Sequence, residues 1–362
     1  MLVNPGAWGG RRVLVTGHTG FKGAWLALWL HQLGAEVSGL ALAPPTDPNL
    51  FERARLGGLV NHIEADVRDF SAVTAAMKAV RPEVVFHLAA QSLVRYSYQH
   101  PIETYATNVM GTVHMLEASR NLGGVRAFVA ITTDKCYENR EWVWPYREID
   151  PLGGHDPYSS SKGCAELVIS AYRRSYFAAN GHSGGELGLA SVRAGNVIGG
   201  GDWATDRLVP DLIRAFERET APEIRSPNAV RPWQHVLEAL GGYLMIAQRL
   251  LAGDDAFADA WNFGPVDDDA RPVSWIVDRM RAEWGGTQAP APFTGDVPHE
   301  AGLLKLDCSK ARAVLGWRPS LPLDDALVWI VDWHKRVNAG EDPAAVTLGQ
   351  IADYRARSGI TA

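Results

Sequence analysis

The chain has 362 residues, of which 46% are hydrophobic and 21% are charged. This balance is typical of an ordinary globular protein, and the length is sufficient for a large core and two domains. The formal net charge of −6 argues against a nucleic-acid-binding surface. An anionic ligand therefore has to be held locally, by arginine side chains and helix termini.

Cysteine usage and hydropathy indicate a cytoplasmic protein without a membrane segment. Cys136, Cys164 and Cys308 are far apart and lack metal-ligand spacing, which favours reduced thiols. No secretory signal is visible, and the most apolar segment, residues 24–30, is too short to span a bilayer. We therefore expect a cytoplasmic location and no membrane partner.

The first half of the chain alternates between short strand-like runs and helix-like runs. Predicted strands cover residues 12–16, 36–42, 62–64, 84–87, 127–132 and 189–193. Predicted helices cover residues 21–33, 70–80, 102–121 and 158–179. This alternation predicts an α/β fold: a doubly wound, Rossmann-type parallel sheet covered by helices on both faces.

After Asn196 the pattern changes, because glycines at 199–201 and several prolines divide the chain into short helices and loops. A predicted helix over 236–251 then leads into residues 261–264, which read as a strand that returns to the main sheet. We predict a dinucleotide-binding domain at 1–195 together with 236–265. A smaller, mixed but mainly helical substrate domain is predicted at 196–235 and 266–362.

A glycine-rich segment, GHTGFKG at residues 17–23, lies between the first strand and the first helix. Small residues at this point let the backbone approach a pyrophosphate, and the helix N-terminus supplies N–H groups and the positive end of its dipole. The spacing is GxxGxxG. We predict that Gly17, Thr19, Gly20, Phe21 and Gly23 bind a dinucleotide cofactor.

The rest of the predicted cofactor site follows later strands. The acidic residue that usually ends the second strand and holds the ribose is missing, since Glu36 lies too early and Asp47 falls after two prolines. This strand alone does not decide between NAD and NADP. Asp66-Val67 fits an adenine contact or, equally, a strand-end cap. Leu88, Ala89, Ala90 and Gln91 follow the fourth strand, at the edge where a cofactor would lie.

The most informative pattern is Thr132-Thr133-Asp134-Lys135 followed by Tyr158-x-x-x-Lys162. A tyrosine and a lysine four residues apart share one helix face, and the ammonium favours the phenolate. The tyrosine can then take a proton from an alcohol, with Thr133 bonded to the same oxygen. This trio suits hydride transfer from a secondary alcohol to a nicotinamide. Asp134 and Lys135 suggest a second chemical step at the same site.

With these motifs in place, the chain resembles the extended short-chain dehydrogenase/reductase family over residues 11 to about 335. TGHTGFKG, HLAAQ, the Tyr158/Lys162 pair and RPWQHV match in order. Within that family it is similar to the nucleotide-sugar 4,6-dehydratases. TTDKCYEN at 132–139, SLVRYSYQHPIETYATNVMGT at 92–112 and GNVIGGGDWATDRLVPD at 195–211 carry this closer resemblance. Most of these enzymes have Asp-Glu where this chain has Asp134-Lys135, and lysine marks the branch that acts on CDP-linked hexoses.

The resemblance implies NAD as cofactor and three stages in one pocket. Tyr158, with Lys162 and Thr133, would take the C4 hydroxyl proton while the C4 hydride leaves. Water would then leave across C5–C6, with Asp134 protonating the departing 6-hydroxyl, and the hydride would return to C6. Lys135 is a candidate base at C5. Alternatively, it stays charged, stabilises the enolate and orients Asp134.

The resemblance also implies a CDP-hexose substrate and its contacts. Asn196, Arg207 and Arg231 are candidates for the diphosphate and ribose, and arginine suits bidentate phosphate contact. Ser92 and Tyr105 are candidates for the sugar and nicotinamide end, as is His87, which could equally be a satisfied strand-end histidine.

Two further expectations concern metals and assembly. His155-Asp156 and His299-Glu300 lack a third ligand in sequence, so we expect no metal site. The resemblance implies that helices near 102–121 and 158–179 pair two copies, which predicts a homodimer or a dimer of dimers.

Three alternative functions remain. A nucleotide-sugar 4-epimerase would share the fold, the cofactor and the Tyr158/Lys162 pair, but it needs no acid directed at C6, so Asp134-Lys135 argues against it. A 4,6-dehydratase of another nucleotide-linked hexose is the second alternative, because the cytidine base rests wholly on the resemblance. A non-catalytic dinucleotide-binding protein is the third, and the joint presence of Thr133, Tyr158 and Lys162 disfavours it.

Overall fold

The computed structural model describes residues 3–178, 187–286, 288–295 and 301–359. In chain order, its strands are β1 (Arg12–Thr16), β2 (Glu36–Ala41), β3 (Asn61–Glu64), β4 (Val84–His87), β5 (Ala127–Ile131), β6 (Gly188–Ala194), β7 (Val197–Ile198), β8 (Glu223–Ile224), β9 (Val230–Pro232), β10 (Gln234–His235), β11 (Ala260–Phe263), β12 (Ala270–Pro272) and β13 (Ala291–Pro292). Its α-helices are α1 (Phe21–Gln32), α2 (Leu50–Arg53), α3 (Phe70–Val80), α4 (Val94–Gln99), α5 (Pro101–Tyr105), α6 (Gly111–Leu122), α7 (Pro157–Tyr172), α8 (Leu208–Glu217), α9 (Val236–Leu251), α10 (Val273–Trp284), α11 (Leu323–Asn338) and α12 (Pro343–Arg357).

The main sheet has seven parallel strands in the order β11-β6-β5-β4-β1-β2-β3. Its central strands are continuous apolar runs: Val13, Leu14 and Val15 in β1 are fully buried. Strands buried on both faces require this pattern. The predicted Rossmann-type sheet is confirmed, and so is the returning strand, which is β11. The order reverses between β1 and β4, where ligands bind in sheets of this kind.

Helices cover the two faces of the sheet with separate cores. On one face, α1 and α9 bury side chains such as Trp25, Trp29 and Leu240. On the other, α3, α6 and α7 bury side chains such as Met77 and Leu116. These two layers hold the carboxyl ends of β1, β4, β5 and β6 at one edge, and that edge carries the predicted motifs.

The second lobe is smaller and mainly helical, as predicted. Helices α8, α10 and α11 share a core that includes Phe216, Val277 and Leu327. Short strand pairs complete it, with β9 antiparallel to β12 and β8 parallel to β13. This lobe faces the carboxyl edge of the main sheet.

Some predicted elements differ in extent. The predicted helix over 102–121 is divided into α5, a wide turn at Ala106–Met110, and α6. Helix α7 ends at Tyr172 and continues as a wide turn to Phe177, and residue 179 lies outside the described residues. Within the described ranges, no helix combines the length and apolar character needed to cross a bilayer.

Helix α12 belongs by sequence to the predicted substrate domain, yet it packs on α1 and α2 as well as α11. Tyr354 meets the ring of Trp29 edge-on, with centroids 5.8 Å apart, and its hydroxyl donates to Glu238 of α9 at 3.0 Å. Most residues of this helix are polar or small, but one narrow face is apolar and buried, and it includes Val346 and Ile351. The C-terminal helix therefore lies on the dinucleotide-binding half.

Candidate active site

A cavity of about 1180 Å³ opens between the carboxyl edge of the main sheet and the second lobe. Sites for a single small ligand usually measure roughly 300–1,000 Å³. This volume therefore accommodates a dinucleotide and a second ligand side by side. The cavity begins at β1 and β4, at the reversal point of the sheet, and extends to α8 and β9 of the second lobe.

The glycine-rich turn forms one wall, and its backbone leaves no room for side chains. Gly17 has φ +74°, and a Cβ there would lie 2.8 Å from the backbone nitrogen of Ala89. A Cβ on Gly23 would lie 2.2 Å from the carbonyl oxygen of Gly17. Helix α1 begins after Gly20, which has no side chain to cap its N–H groups. These features fit the pyrophosphate of NAD. The predicted residues of the turn all line the cavity: Gly17, Thr19, Gly20, Phe21 and Gly23.

The far end of the cofactor wall carries Asp66 and Val67. Asp66 also acts as a local cap, because it accepts hydrogen bonds from the backbone and the side chain of Arg68 at 2.8 and 2.7 Å. Both predicted readings of this residue are thus compatible with its position. The end of β2 has no acid, but Asp47 of the following loop lines the cavity. The sequence did not predict Asp47 as a cofactor-site residue, because it follows two prolines beyond the end of the strand.

The middle of the cavity is formed by the segments that follow β4 and β5. Leu88, Ala89, Ala90 and Gln91 line it, as do Thr133, Asp134, Lys135 and Tyr158. Helix α7 begins at Pro157, where the Asp156 carboxylate caps the backbone N–H of Ser159 at 2.9 Å. This start places Tyr158 in the first turn, at the cavity wall. The structure therefore brings the predicted Tyr158 and Thr133-Asp134-Lys135 into one site.

Asp134 is a buried acid, and one of its carboxyl oxygens has no hydrogen-bond partner among the described residues. Its side chain is 3% exposed, Oδ1 accepts a hydrogen bond from the Thr133 hydroxyl at 3.0 Å, and Oδ2 has no partner among the described residues. Burial raises the pKa of Asp134, although Lys135 and Thr133 oppose this. A buried carboxyl group with a raised pKa at the wall of a cavity is a candidate general acid.

Gly195, directly after β6, allows the second lobe to approach this acid. A Cβ on Gly195 would lie 2.3 Å from Cγ of Pro232 and 3.0 Å from Oδ2 of Asp134. Only a residue without a side chain lets these groups meet.

The pKa of Tyr158 differs from the prediction. Burial raises it to about 12, while a hydrogen bond with Thr133 opposes this shift. Desolvation is the largest cause of this shift, and the charge of Lys162 is not among its causes. Lys162 lies behind the wall instead of lining it, and its Nζ donates to the carbonyl of Ile131 at 3.3 Å. Burial lowers the pKa of Lys162 to about 8, and Glu166 opposes this.

Lys22 is a site residue that the sequence motifs did not identify. It lines the cavity from the glycine-rich turn. Burial lowers its pKa to about 7, assisted by the charges of Arg207 and Lys162 and opposed by Asp134 and Asp202. The sequence feature that could have identified Lys22 is a basic side chain inside a predicted phosphate-binding turn.

The predicted substrate residues divide into three groups. Arg207 donates to the Ser92 hydroxyl at 2.8 Å and to Asp202 at 3.2 Å, so two of them meet at the cavity wall, which Asn196 also lines. Arg231 lines the cavity but is 3% exposed, and it donates to the carbonyls of residues 230, 301 and 302. Tyr105, the last residue of α5, does not line the cavity. Arg95 and Tyr96 of α4 line it instead.

The remaining histidine candidates have structural surroundings. His87 is hydrogen-bonded to the hydroxyls of Thr16 at 2.8 Å and Thr112 at 3.2 Å, which fits the satisfied strand-end histidine. Across the residues that the structure describes, no three His, Cys, Asp or Glu side chains cluster as metal ligands. His299 and Glu300 lie outside the described residues.

Comparison with known proteins assigns this site to a family. The sequence profile of the family described as GDP-mannose 4,6 dehydratase matches residues 14–328. The chain belongs to the GDP-mannose 4,6-dehydratase family. Within it, the chain is 54% identical to the CDP-glucose 4,6-dehydratase of Salmonella typhimurium, over 98% of each sequence. It is 26% identical to a dTDP-glucose 4,6-dehydratase of Xanthomonas campestris, over 89% of this chain and 92% of the relative.

Solved structures agree with the family at the level of the fold. A dTDP-glucose 4,6-dehydratase of Bacillus anthracis in complex with NAD matches with a TM-score of 0.75 at 19% identity, covering 92% of this chain and 100% of that one. A UDP-glucose 4-epimerase of Thermotoga maritima with UDP-glucose matches with a TM-score of 0.77 at 23% identity, covering 90% and 99%. Dehydratases of this family thus share their fold with epimerases, so the reaction has to be argued from the site.

Proposed function

We propose that this protein is a CDP-glucose 4,6-dehydratase that converts CDP-glucose into CDP-4-keto-6-deoxyglucose and water, with NAD bound throughout. The single observation that carries this proposal is Asp134, a buried acid with a free oxygen in the same cavity as Tyr158. An epimerase needs the tyrosine but no such acid. The high identity to a CDP-glucose 4,6-dehydratase over nearly the full length supports the nucleotide.

The first step needs a proton acceptor at the sugar C4 hydroxyl. The glycine-rich turn and residues 88–91 would hold NAD, which would supply the hydride acceptor for C4 and the hydride donor for C6. Tyr158 accepts the C4 hydroxyl proton as the phenolate and becomes the neutral phenol, and a hydrogen bond with the Thr133 hydroxyl favours that phenolate. Lys162 lies one turn beyond Tyr158 on α7, and its Nζ donates to the carbonyl of Ile131 in β5. In this position it keeps a positive charge behind the tyrosine.

The second step expels water across C5–C6. The ketone at C4 acidifies the C5 hydrogen, and Asp134 delivers its proton to the departing 6-hydroxyl. Lys135 lines the same cavity and is the proposed base at C5. Net redox change is zero, because the hydride that leaves C4 returns to C6, and the base returns a proton to C5.

The nucleotide part of the substrate is proposed to lie toward the second lobe. Ser92, Arg207 and Asn196 line that end of the cavity, and the guanidinium of Arg207 offers two donors suited to a phosphate oxygen. Arg231 lies deeper, and its bonds to backbone carbonyls indicate that it also holds the 301–302 segment in place. The contact with the diphosphate therefore rests mainly on Arg207.

A cytoplasmic location is part of the proposal. The structure leaves Cys136, Cys164 and Cys308 as free thiols, and Cys136 and Cys308 are buried. Reduced cysteines are typical of proteins in reducing compartments.

Two copies are proposed to pair through α5, α6 and α7. Ile102 of α5, Met110 of the wide turn before α6 and Leu167 of α7 are large apolar side chains that are 86%, 47% and 60% exposed. We expect a double variant, Ile102→Glu with Leu167→Glu, to sediment as a monomer at micromolar concentration, because two charges would be buried in the interface. The matched control is Val314→Glu, since Val314 is 53% exposed and belongs to the turn at Ala311–Leu315, outside these helices. Unchanged sedimentation of the double variant would contradict this pairing.

The function is tested by a panel of CDP-, dTDP-, GDP- and UDP-hexoses with added NAD. We expect CDP-glucose to give a keto sugar, which develops a near-ultraviolet chromophore in strong base, and the other hexoses to give much less. A different hexose product without the chromophore would identify an epimerase. A keto sugar from another nucleotide would retain the chemistry and overturn the cytidine assignment.

A further inference from the structure

Behind the catalytic wall lies a buried carboxylate with an unusually complete set of partners. Glu166 of α7 is 3% exposed and accepts two hydrogen bonds from Arg193 of β6, at 2.8 and 2.9 Å. The hydroxyls of Thr132 and Ser191 donate to the same carboxylate at 2.5 and 2.8 Å. Burial alone would raise the pKa of Glu166, but Arg193 and these hydroxyls together hold it below its ordinary value. The group is therefore a charged carboxylate.

Arg193 extends the network to the other end of the catalytic segment. Its Nη1 donates to the hydroxyl of Tyr137 at 2.8 Å, and the guanidinium lies 4.9 Å from the centre of the Tyr137 ring. Tyr137 in turn donates to Asn262 of β11 at 2.7 Å. Tyr137 is 1% exposed and does not line the cavity.

These contacts enclose the catalytic segment from both sides. Thr132 directly precedes Thr133-Asp134-Lys135, and Tyr137 follows it by two residues. Glu166 lies one helical turn beyond Lys162 on the helix that carries Tyr158. A single ion pair thus connects the two halves of the proposed catalytic site, the helix with the base and the segment with the acid.

We propose that Glu166 and Arg193 are positioning residues that hold the Thr133-Asp134-Lys135 segment in register with Tyr158. This role rests on the proposed function, since it concerns the two steps of that reaction. Neither side chain reaches the cavity, so both act through their neighbours.

Stability alone does not account for such a pair. A buried ion pair loses hydration, and well-packed apolar residues of similar volume stabilise a fold equally well or better. What the bidentate geometry adds is direction, because a guanidinium and a carboxylate meet in one plane with fixed spacing. The expected benefit therefore lies in the placement of the neighbours.

The two chemical steps differ in their dependence on this placement. Oxidation at C4 needs Tyr158 on α7, with Thr133 only assisting it, whereas water expulsion needs both Asp134 and Lys135 of the segment at fixed distances from the same sugar. A segment that shifts relative to α7 should slow water expulsion more than oxidation. Reduced cofactor should then accumulate during a single turnover, which a merely structural role would not produce.

The test uses Tyr137→Phe and Thr132→Val, each of which removes one hydroxyl at an end of the segment. We expect kcat to fall between about tenfold and a hundredfold in each, because small misplacements of reacting groups have effects of this size. The KM for CDP-glucose should stay within about twofold. Reduced cofactor should accumulate in stopped-flow absorbance. Thr132 lines the cavity and Tyr137 does not, so agreement between them excludes a lost substrate contact as the cause.

The matched control is Tyr146→Phe. Tyr146 stacks on Tyr137 with ring centroids 5.2 Å apart, and its hydroxyl bonds to Asn139 and to the backbone N–H of Arg140, but not to Arg193. It should lose a similar amount of thermal stability and keep its kcat. Equal kcat in all three variants, or losses without accumulation of reduced cofactor, would overturn the positioning role. An inactive wild-type enzyme on CDP-glucose would instead overturn the proposed function, and this role with it.

Glu166→Gln is a stronger variant, but it leaves Arg193 buried without its counter-ion and endangers folding. The two hydroxyl variants avoid this, because the ion pair between Glu166 and Arg193 stays intact in both.

Discussion

Replacement of Tyr158 by phenylalanine should remove turnover while leaving the cofactor bound. The phenol is the only group at the start of α7 that can accept the C4 proton, among the described residues that line the cavity there. Loss of a general base typically lowers kcat by about 10²–10⁴-fold. In stopped-flow absorbance, Tyr158→Phe should show no reduced nicotinamide after CDP-glucose is added, because the hydride leaves C4 only as the proton departs.

The control for this variant is Tyr243→Phe. Tyr243 is fully buried in α9, and its hydroxyl has no hydrogen-bond partner among the described residues, so its removal should leave kcat unchanged. NAD affinity of Tyr158→Phe, measured by calorimetry, should change little, since the glycine-rich turn is intact. Reduced cofactor forming in Tyr158→Phe at the wild-type rate would contradict the assignment of Tyr158 as the base.

Much of this site is readable from sequence because its parts follow strand ends. Each parallel strand delivers its following residues to the same edge, so motifs after β1, β4 and β5 meet there whatever their separation in sequence. The glycine-rich turn, residues 88–91 and Thr133-Asp134-Lys135 lie where this rule places them. Helical spacing likewise relates Tyr158 to Lys162.

Properties that depend on burial could not be predicted in the same way. The sequence suggested a lowered pKa for Tyr158, but desolvation by the surrounding lobes raises it. Arg231 was predicted as a phosphate contact, yet the structure also engages it with backbone carbonyls of a distant loop. Lys22 was not predicted as a site residue, because a lysine after a glycine turn is ordinarily solvent-exposed. Each of these depends on what packs over the residue.

Helix α12 shows the same limit at the level of packing. Its sequence is polar and rich in alanine, so the few apolar residues that contact α1 were not distinguishable from an exposed surface helix. Which helix receives an apolar stripe is a tertiary property.

Asp134→Asn should separate the two chemical steps. The amide keeps the size of the side chain but has no acidic proton, whereas the carboxyl group of Asp134 can carry one and burial raises its pKa. We expect oxidation at C4 to proceed, so that reduced cofactor appears and persists, while dehydrated product falls by about 10²–10⁴-fold. The measurement combines stopped-flow absorbance with the keto-sugar assay. Wild-type dehydration in this variant would eliminate Asp134 as the acid.

Deuterium exchange then distinguishes the acid from the base. In heavy water, Asp134→Asn should still exchange the C5 hydrogen of the oxidised sugar, because the ketone at C4 acidifies that position before water leaves. Lys135→Met, which retains the apolar length of the side chain, should abolish the exchange if Lys135 is the base at C5. Exchange at the wild-type rate in Lys135→Met would instead assign Lys135 to stabilising the enolate. Asp134 would remain the acid in either case, since its assignment rests on the fate of the 6-hydroxyl and not on C5.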